Sequence, residues 1–228
     1  MNYAIILAGG TGSRAGGLLP KQFQLIAGRR MFWWSVLAFR RFDPECRIIL
    51  VVHPDFIDAF SDEEEATGIP LLKVPGGSSR IESVRNGMNR ILSECPDGAG
   101  IDEVRVFIHD AARPMVTPEL IARGAGMAGK GVGAIPVVAL SDSIRRLTAE
   151  GSEAADRAAF VAVQTPQVFM LPDIAAAYRA VKEERGLTDD ASVAERFGLK
   201  IVTFSGDPAN FKVTNPNDLK WNFNILRE

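Results

Sequence analysis

A glycine-rich run followed by two basic residues is the first part of the sequence that could bind a reactive group. A short apolar run leads into Leu7-Ala8-Gly9-Gly10-Thr11-Gly12-Ser13-Arg14, and Pro20-Lys21-Gln22-Phe23 follows after one short loop. Glycines at the end of a strand let backbone N–H groups approach phosphate oxygens closely. An arginine binds two phosphate oxygens at once, whereas a lysine places one point charge. The run therefore predicts a polyphosphate site with Arg14 and Lys21 as its cations.

The spacing of this run differs from the two commonest phosphate-binding motifs. A P-loop carries its lysine within the turn itself, but Lys21 stands nine residues after Gly12. A dinucleotide-binding fingerprint needs a third glycine, which is missing where this sequence continues with Arg14-Ala15. The mismatch disfavours a nicotinamide-dependent oxidoreductase, which stays open as an alternative of another class. For the glycines alone, a tight turn without a ligand is the structural alternative.

An aspartate follows a second apolar run, Val104–His109. Ligands of open α/β sheets bind at the carboxyl ends of the strands, so Asp110 would lie at the ligand edge. A carboxylate beside a phosphate-binding loop suits Mg²⁺, while an ion pair with Arg113 is the alternative. His109 fits a hydrogen-bonded scaffold better than a catalyst, because attack by an ionised phosphate needs no base.

Strands and helices alternate along most of the chain and would position these residues. Nearly continuous apolar runs predict strands buried on both faces, at Tyr3–Leu7, Arg47–His53, Leu71–Val74, Val104–His109, Val132–Val138 and Lys200–Phe204. Helical patterns lie between them, at 31–42, 54–65, 79–94, 117–128, 172–185, 189–197 and 216–226. The alternation predicts an α/β fold with a doubly wound, mostly parallel, Rossmann-like sheet.

The segment from Ser141 to about Ala159 interrupts this alternation. It is polar, and it contains Gly151 and several arginines. Unstructured loops of this length are uncommon in compact domains and are often functional. We therefore predict a β-arm that projects from a single domain spanning residues 1–228, with a long surface loop as the alternative.

Charge and composition exclude several classes of partner. The net charge of −2 offers no overall electrostatic footprint for nucleic acid. The apolar run that begins the sequence is too short for a signal peptide, and no stretch approaches the roughly 18 apolar residues of a membrane span. Cys46 and Cys95 have neither metal-ligand nor redox spacing. These features predict a cytoplasmic protein with reduced cysteines that binds neither nucleic acid nor membrane.

Together with the glycine-rich run, five later segments resemble the 2-C-methyl-D-erythritol 4-phosphate cytidylyltransferases of the non-mevalonate isoprenoid pathway. They are Gly76–Gly87, His109-Asp110-Ala111-Ala112-Arg113-Pro114, Gln164-Thr165-Pro166-Gln167, Thr188-Asp189-Asp190-Ala191-Ser192 and Lys212-Val213-Thr214. They come in the family's order and spread over nearly the whole chain. The set is specific, although no single segment is.

The resemblance implies a nucleotidyltransferase that joins CTP to a polyol phosphate, with Mg²⁺ as cofactor. It also implies a homodimer in which the arm at about 141–159 crosses to the partner. A non-catalytic nucleotide-binding module is an alternative of another class, and it would bind CTP without releasing pyrophosphate.

The resemblance also assigns roles to individual residues. Catalysis is expected from Arg14, Lys21 and Lys212. Contacts to the nucleotide are expected from Ala8, Gly9, Gly10, Gly12, Arg14, Lys21, Gly77, Arg80, Ser83 and Asp110, of which Asp110 would also hold the metal. Contacts to the second substrate are expected from Arg113, Ser143, Arg145, Arg157, Thr165 and Thr188. Without the resemblance, Ser79 is expected near the cap of an amphipathic helix, and Lys212 as an exposed lysine on an edge strand.

Some positions depart from the family pattern and bear on the second substrate. Gly9 stands where the erythritol enzymes commonly have alanine, as in ribitol 5-phosphate cytidylyltransferases. Ala112 favours the erythritol group, because the ribitol group usually has valine there. Ser143 and Arg145 replace the usual threonine and lysine; they keep the hydroxyl and the charge, although arginine and lysine do not bind alike. We expect the erythritol substrate, with ribitol 5-phosphate as the alternative.

Overall fold

Strands and helices alternate through most of the chain. The computed structural model describes residues 1–10, 19–94, 100–220, 223 and 226, so Gly12, Arg14 and Cys95 lie outside the described residues. The strands are β1 (Asn2–Ala8), β2 (Leu25–Ile26), β3 (Arg29–Arg30), β4 (Arg47–Val52), β5 (Leu71–Pro75), β6 (Arg105–Asp110), β7 (Val132–Ala139), β8 (Arg145–Thr148), β9 (Gly151–Ala154), β10 (Val161–Val163), β11 (Gln167–Met170) and β12 (Lys200–Ser205). The α-helices are α1 (Met31–Phe42), α2 (Ser61–Thr67), α3 (Arg80–Ser93), α4 (Pro118–Met127), α5 (Leu171–Ala180) and α6 (Asp190–Arg196).

The central sheet is mixed but mostly parallel. Its strands follow the order β10, β7, β11, β6, β1, β4, β5, and β12 also pairs with β7. The pairs of β1 with β4 and β6, of β4 with β5 and of β7 with β12 are parallel, whereas β10 and β11 are antiparallel to their neighbours. Leu7 lies in register with Val51 and Asp110, which brings three carboxyl ends to one edge. The predicted α/β class with a doubly wound sheet is confirmed.

Helices cover both faces of the sheet, and this explains the continuous apolar strands. Ala4 and Ile6 of β1 belong to the cluster that includes Phe39 of α1 and residues of α4. Tyr3 and Ile5, which point the other way, belong to the cluster formed with α3, α5 and α6. Because successive side chains of a strand point to opposite faces, a strand covered on both sides must be apolar throughout.

Two predicted helices are shorter than expected. The pattern over 54–65 gives only a 3₁₀ turn at Pro54–Phe56 and then α2, because Phe60 adopts a left-handed conformation with φ 70° that interrupts the helix. The pattern over 172–185 gives α5, which ends at Ala180. Near that end the Arg85 guanidinium donates hydrogen bonds to the carbonyls of Tyr178 and Val181, acceptors that a continuing helix would use itself.

The last predicted helix, over 216–226, is also different in its described part. Residues Pro216–Lys220 form a 3₁₀ helix instead. The Asp218 carboxylate accepts hydrogen bonds from the backbone N–H groups of Thr214 at 2.7 Å and Asn215 at 2.8 Å. These bonds hold the turn close to the preceding segment, which belongs to the site described below.

Strands β10 and β11 of the central sheet were not predicted, and neither was the separate pair of β2 with β3. Val161 and Val163 of β10 are exposed, so the strand lacks a buried apolar pattern. The four residues of β11 run directly into α5 without an intervening turn signal. Strand β11 lies between β6 and β7, which makes the sheet mixed.

The segment at 141–159 forms a projecting β-arm, as predicted. Strands β8 and β9 pair only with each other in the described part of the chain, and all their residues are exposed. Arg146 and Glu153 form an ion pair across the hairpin. The alternative of an unstructured surface loop is wrong.

Two further expectations concern the cysteines and membranes. Cys46 is buried, and burial raises the pKa of its thiol to about 12, as for an inert core thiol. Within the described residues, the helices lack the length and apolar character needed to cross a bilayer.

Candidate active site

A cavity of about 590 Å³ opens at the carboxyl ends of β1, β4 and β6, beside the N-terminus of α3. Its lining is formed by Leu7, Gly9, Gly10, Lys21, Gln22, His53, Gly77, Ser78, Ser79, Arg80, Ser83, Asp110, Ala112 and Lys212. This is the edge at which doubly wound sheets bind their ligands. The size is in the range of small-molecule sites.

Gln22 holds the end of β1 and Gly10, and Lys21 holds the segment around Val213. The Gln22 side-chain amide donates to the carbonyl of Ala8 at 2.7 Å and to that of Gly10 at 2.6 Å. The Lys21 ammonium donates to the carbonyl of Val213 at 2.6 Å. The segment that carries Lys212 therefore lies beside Lys21, although 192 residues separate Lys21 from Val213.

A tight turn of small residues after β5 forms a further part of the cavity wall. The Ser83 hydroxyl accepts a hydrogen bond from the Gly77 N–H at 3.0 Å and donates to the Ser79 carbonyl at 2.9 Å. A Cβ atom on Gly77 would lie 2.2 Å from Cγ of Glu82, so only glycine fits there without a shift of the helix. Ser79 caps α3 by accepting from the Glu82 N–H at 3.1 Å, as the sequence predicts.

Cationic side chains surround Asp110. Its carboxylate lies 2.8 Å from Nζ of Lys212, 3.8 Å from Arg80 and 4.0 Å from Nε of Arg113. Burial alone would raise the pKa of Asp110, but the charges of Lys212 and Arg80 outweigh it and lower the pKa to about 2. Asp110 is therefore ionised at neutral pH. Its closest partner is Lys212, and the expected pairing with Arg113 is the most distant of these contacts.

Arg80 reaches the cavity from the first turn of α3 and is anchored from behind. Its guanidinium donates to both carboxylate oxygens of Asp190, at 2.8 and 2.7 Å. The Tyr178 hydroxyl donates to the same carboxylate. Burial acts to lower the pKa of Arg80, but the paired charge of Asp190 outweighs it and raises the pKa. Arg80 is a permanent cation at the cavity wall.

His109 lies inside the core, outside the cavity lining. Its Nδ1 is 3.1 Å from the Thr165 hydroxyl, and its Nε2 is 3.2 Å from both the Ser35 hydroxyl and the Arg113 carbonyl. Because a carbonyl can only accept, Nε2 carries the proton and Nδ1 accepts from Thr165. Burial lowers the pKa of His109 to about 4. The geometry agrees with the expected scaffold role.

The oxygen donors of the cavity suit a metal ion that is bound mainly by the phosphates of a substrate. Asp110 supplies the carboxylate among the described lining residues, and those residues hold no cluster of three or more histidine, cysteine, aspartate or glutamate side chains. Mg²⁺ typically keeps several waters and uses one or two carboxylates together with substrate phosphates. The donor set fits this mode and does not fit a cage made of protein ligands alone.

Comparison with known proteins assigns the family. The sequence model of the family described as 2-C-methyl-D-erythritol 4-phosphate cytidylyltransferase matches residues 2–228. The chain belongs to this family. The 2-C-methyl-D-erythritol 4-phosphate cytidylyltransferase of Cereibacter sphaeroides is 42% identical to it over 224 residues, with 94% of this chain and 92% of the relative covered.

Two further comparisons concern a longer, bifunctional relative of this cytidylyltransferase family and a solved structure. The bifunctional enzyme IspD/IspF of Rhodopseudomonas palustris is 41% identical over 220 residues, which cover 94% of this chain but 53% of that enzyme. The chain thus spans about half of the bifunctional relative. A crystal structure of 4-diphosphocytidyl-2C-methyl-D-erythritol synthase superimposes with a TM-score of 0.78 and 28% identity, with 100% of this chain and 98% of that chain covered.

Most of the nucleotide-binding residues expected of a cytidylyltransferase come together in the cavity. Those in the lining are Gly9, Gly10, Lys21, Gly77, Arg80, Ser83 and Asp110, and Lys212, which is expected to be catalytic, lines the cavity with them. Ala8 is buried beneath them, with its carbonyl bonded to Gln22. Lys212 is half-exposed and lies outside any strand, so the alternative of an edge-strand lysine is wrong.

The expected contacts to the second substrate are dispersed. The Thr165 hydroxyl is buried and accepts from the Asp110 N–H at 3.0 Å, and Arg113 donates to backbone carbonyls. The remaining members are exposed on the arm, at its base or before α6, outside the lining: Ser143, Arg145, Arg157 and Thr188. Arg145 bonds Ser152 within the arm, and Arg157 bonds the Ser141 carbonyl. Their substrate contacts stay predictions.

Three residues of the cytidylyltransferase site were missed: Gln22, Tyr178 and Asp190. Gln22 and Asp190 belong to segments that carry the family resemblance, and this was the signal for them. Nothing in the sequence pairs Asp190 with Arg80, 110 positions away. Tyr178 looks like an ordinary core residue of α5.

Proposed function

We propose that this chain transfers CMP from CTP to 2-C-methyl-D-erythritol 4-phosphate and releases pyrophosphate, a step of non-mevalonate isoprenoid synthesis. The observation that carries the proposal is the cavity at the ligand edge, in which Arg80 and Lys212 lie beside Asp110 and Lys21 lines the same space. Membership in the cytidylyltransferase family supports the same reaction.

The reaction requires the protein to bring two anions together. A phosphate oxygen of the polyol phosphate attacks the α-phosphorus of CTP, a new P–O bond forms, and the bond to the β-phosphate oxygen breaks as pyrophosphate leaves. The attacking oxygen is already ionised, so no base is needed. Fixed positive charge lowers the repulsion and stabilises the negative charge of the transition state.

The cavity residues divide this task. Arg14 and Lys21 are assigned to the triphosphate, and Lys212 to the α-phosphate and the incoming phosphate. Gly77, Arg80 and Ser83 line the part of the cavity that is assigned to the nucleoside. The family resemblance assigns Gly9, Gly10 and Gly12 to the nucleotide as well. Asp110 would hold Mg²⁺, which supplies further charge neutralisation to the phosphates when bound.

The ribitol alternative is not favoured. The matching family and the Cereibacter sphaeroides relative carry the erythritol name. Ala112, which bears on this choice in the sequence, lines the cavity with a small side chain.

We also propose that the enzyme acts in the cytoplasm as a homodimer whose arm reaches the partner's cavity. Leu147 on the arm is 85% exposed, and Phe160 at its base is 52% exposed. A second copy that covers these side chains would bury apolar surface, and closed twofold assembly is the commonest arrangement. Ser143, Arg145 and Arg157 would then contact the polyol phosphate in the partner. Light scattering should give twice the mass of one chain, and a fully active monomer would contradict the proposal.

The test of function is pyrophosphate release from CTP with a panel of erythritol, ribitol and glycerol phosphates. Release should be fastest with 2-C-methyl-D-erythritol 4-phosphate, and ATP or GTP should replace CTP poorly. Faster release with ribitol 5-phosphate would move the assignment to the alternative. CTP binding without release would indicate a nucleotide-binding module, and a change of NADH fluorescence on binding would indicate an oxidoreductase.

A further inference from the structure

We infer that Asp190 is a positioning residue for the nucleotide: it holds the Arg80 guanidinium in the orientation that binds CTP. The inference rests on the proposed function, because it takes CTP as the ligand of the cavity. Asp190 lies outside the cavity lining and has an exposed fraction of 0%. It therefore acts through Arg80 and not by contact with the ligand.

The contact between the two side chains fixes the plane of the guanidinium. Both terminal nitrogens of Arg80 donate to Asp190, one to each carboxylate oxygen. A bidentate pair of this kind sets orientation as well as distance. An arginine has five N–H donors, so three remain to face the cavity after two bind Asp190.

Asp190 is itself held by groups that do not touch the cavity. The Tyr178 hydroxyl donates to its carboxylate from α5. Gln167 of β11 is buried and fixes the start of α6 from both sides, donating to Asp189 at 2.8 Å and accepting from the Ala191 N–H at 2.7 Å. The carboxylate is thus anchored to the sheet, and a rigid support makes the guanidinium rigid.

The arrangement also keeps Arg80 away from Asp110. Its nearest nitrogen is 2.7 Å from Asp190 but 3.8 Å from Asp110. Without the charge of Asp190, the guanidinium would turn towards Asp110, the carboxylate beside it. The two would then neutralise each other, and both the nucleotide and the metal would lose a binding group.

The experiment measures CTP affinity by calorimetry with Mg²⁺ and without the second substrate. Asp190→Asn keeps the shape but removes the charge, and it should weaken CTP binding about 10- to 100-fold, as when an outer partner of a binding group is removed. Arg80→Ala should weaken it to a similar degree. In the Arg80→Ala background, Asp190→Asn should weaken CTP binding no further, because its effect passes through Arg80.

Two more variants separate positioning from folding. Tyr178→Phe removes one hydrogen bond to Asp190 and should weaken CTP binding a few-fold in the same direction; it also serves as the test if Asp190→Asn does not fold. Asp173→Asn is the matched control, since Asp173 accepts from the Gly131 N–H at 2.7 Å outside the cavity lining. It should lower thermal stability and leave CTP affinity unchanged.

The outcomes distinguish the inference from the proposed function. Wild-type affinity for CTP in Asp190→Asn would overturn the positioning role, and Tyr178→Phe decides in the same way if Asp190→Asn does not fold. A full additional loss of affinity when Asp190→Asn is added to Arg80→Ala would also overturn it. In each case, turnover by the wild-type protein would still support the transferase. A wild-type protein that binds no CTP would overturn both.

Discussion

Asp110 organises the charges of the site at the scale of single residues. It is one ionised carboxylate among Lys212, Arg80 and Arg113, and its negative charge offsets part of the repulsion between these cations. A metal ion can replace the cations beside Asp110, and the phosphates of a ligand can replace Asp110 beside the cations. Little rearrangement of the side chains is needed, because the charges are already in place. Lys212 is the most exposed of the three, with 43% of its side chain accessible to solvent.

Lys212→Ala should lower kcat far more than it raises the KM for CTP. A charge used mainly in the transition state contributes roughly 2–4 kcal/mol, or about 30- to 1,000-fold in rate. The fold should persist, because truncating a half-exposed lysine leaves no cavity. Steady-state kinetics tests this, with Lys130→Ala as the control on an exposed lysine outside the cavity lining. A variant that keeps more than about a tenth of the wild-type kcat, a deficit under about 1.4 kcal/mol, would show that Lys212 is misassigned.

Gly9→Ala should leave activity nearly unchanged. A Cβ atom at Gly9 would lie 3.5 Å from Cα of Gly76, an ordinary van der Waals contact. The departure from the family's usual alanine is therefore sterically neutral. Gly77→Ala is the contrasting variant, because its Cβ would overlap Glu82 and displace the first turn of α3. We expect kcat/KM within about threefold of wild type for Gly9→Ala, a difference under about 0.7 kcal/mol, and a much larger loss for Gly77→Ala. Equal losses of kcat/KM in the two variants would contradict this account of the two glycines.

His109 should make the fold less stable as the pH falls from about 6.5 to about 4. Burial lowers its pKa from 6.5 to about 4, so in this range the unfolded chain binds a proton that the folded chain does not. The unfolded state is then favoured as the pH falls. At about 1.4 kcal/mol per pH unit, the effect reaches about 3 kcal/mol. Urea unfolding of wild type and His109→Asn at pH 7 and pH 4 checks this: the difference in free energy of unfolding between them should change by that amount. The same pH dependence in both proteins would contradict it.

At the scale of elements, the arm was predictable because its residues lack the hydrophobic pattern of a helix or a buried strand. A long polar stretch with no helical or buried-strand pattern cannot belong to a sheet covered on both faces, so residues 141–159 had to leave it. The short strands beside it were not predictable. Strand β10 has no buried pattern of its own, and β11 is defined by its neighbours β6 and β7.

Leu147→Asp should convert the proposed dimer to a monomer and lower activity. Leu147 is 85% exposed on the arm, and a charge in the interface would be desolvated without a partner. Light scattering should then report the 24.7 kDa of one chain. Phe197→Asp is the matched control, because Phe197 is a 46% exposed apolar residue at the end of α6. A Leu147→Asp dimer with wild-type activity would remove the arm from the interface.

At the scale of the whole molecule, the site is assembled from segments far apart in the chain. The sequence could predict which strands precede the ligand-binding segments. Such segments follow the carboxyl ends of the strands, and a doubly wound sheet brings these ends to one edge. It could also place Lys212 beside the first loop through the family resemblance. The pairings of Lys21 with Val213 and of Arg80 with Asp190 depend on packing between elements, and no local pattern encodes them.

The central claim is that the cavity joins two phosphates, and phosphorus NMR of the reaction tests it most directly. With CTP, Mg²⁺ and 2-C-methyl-D-erythritol 4-phosphate, the signals of CTP and of the substrate monophosphate should disappear together. Pyrophosphate and a pair of coupled diphosphate signals should replace them in equal phosphorus amounts. Unchanged spectra would contradict the account. So would pyrophosphate that appears together with CMP while 2-C-methyl-D-erythritol 4-phosphate remains, because that result is hydrolysis of CTP and not transfer.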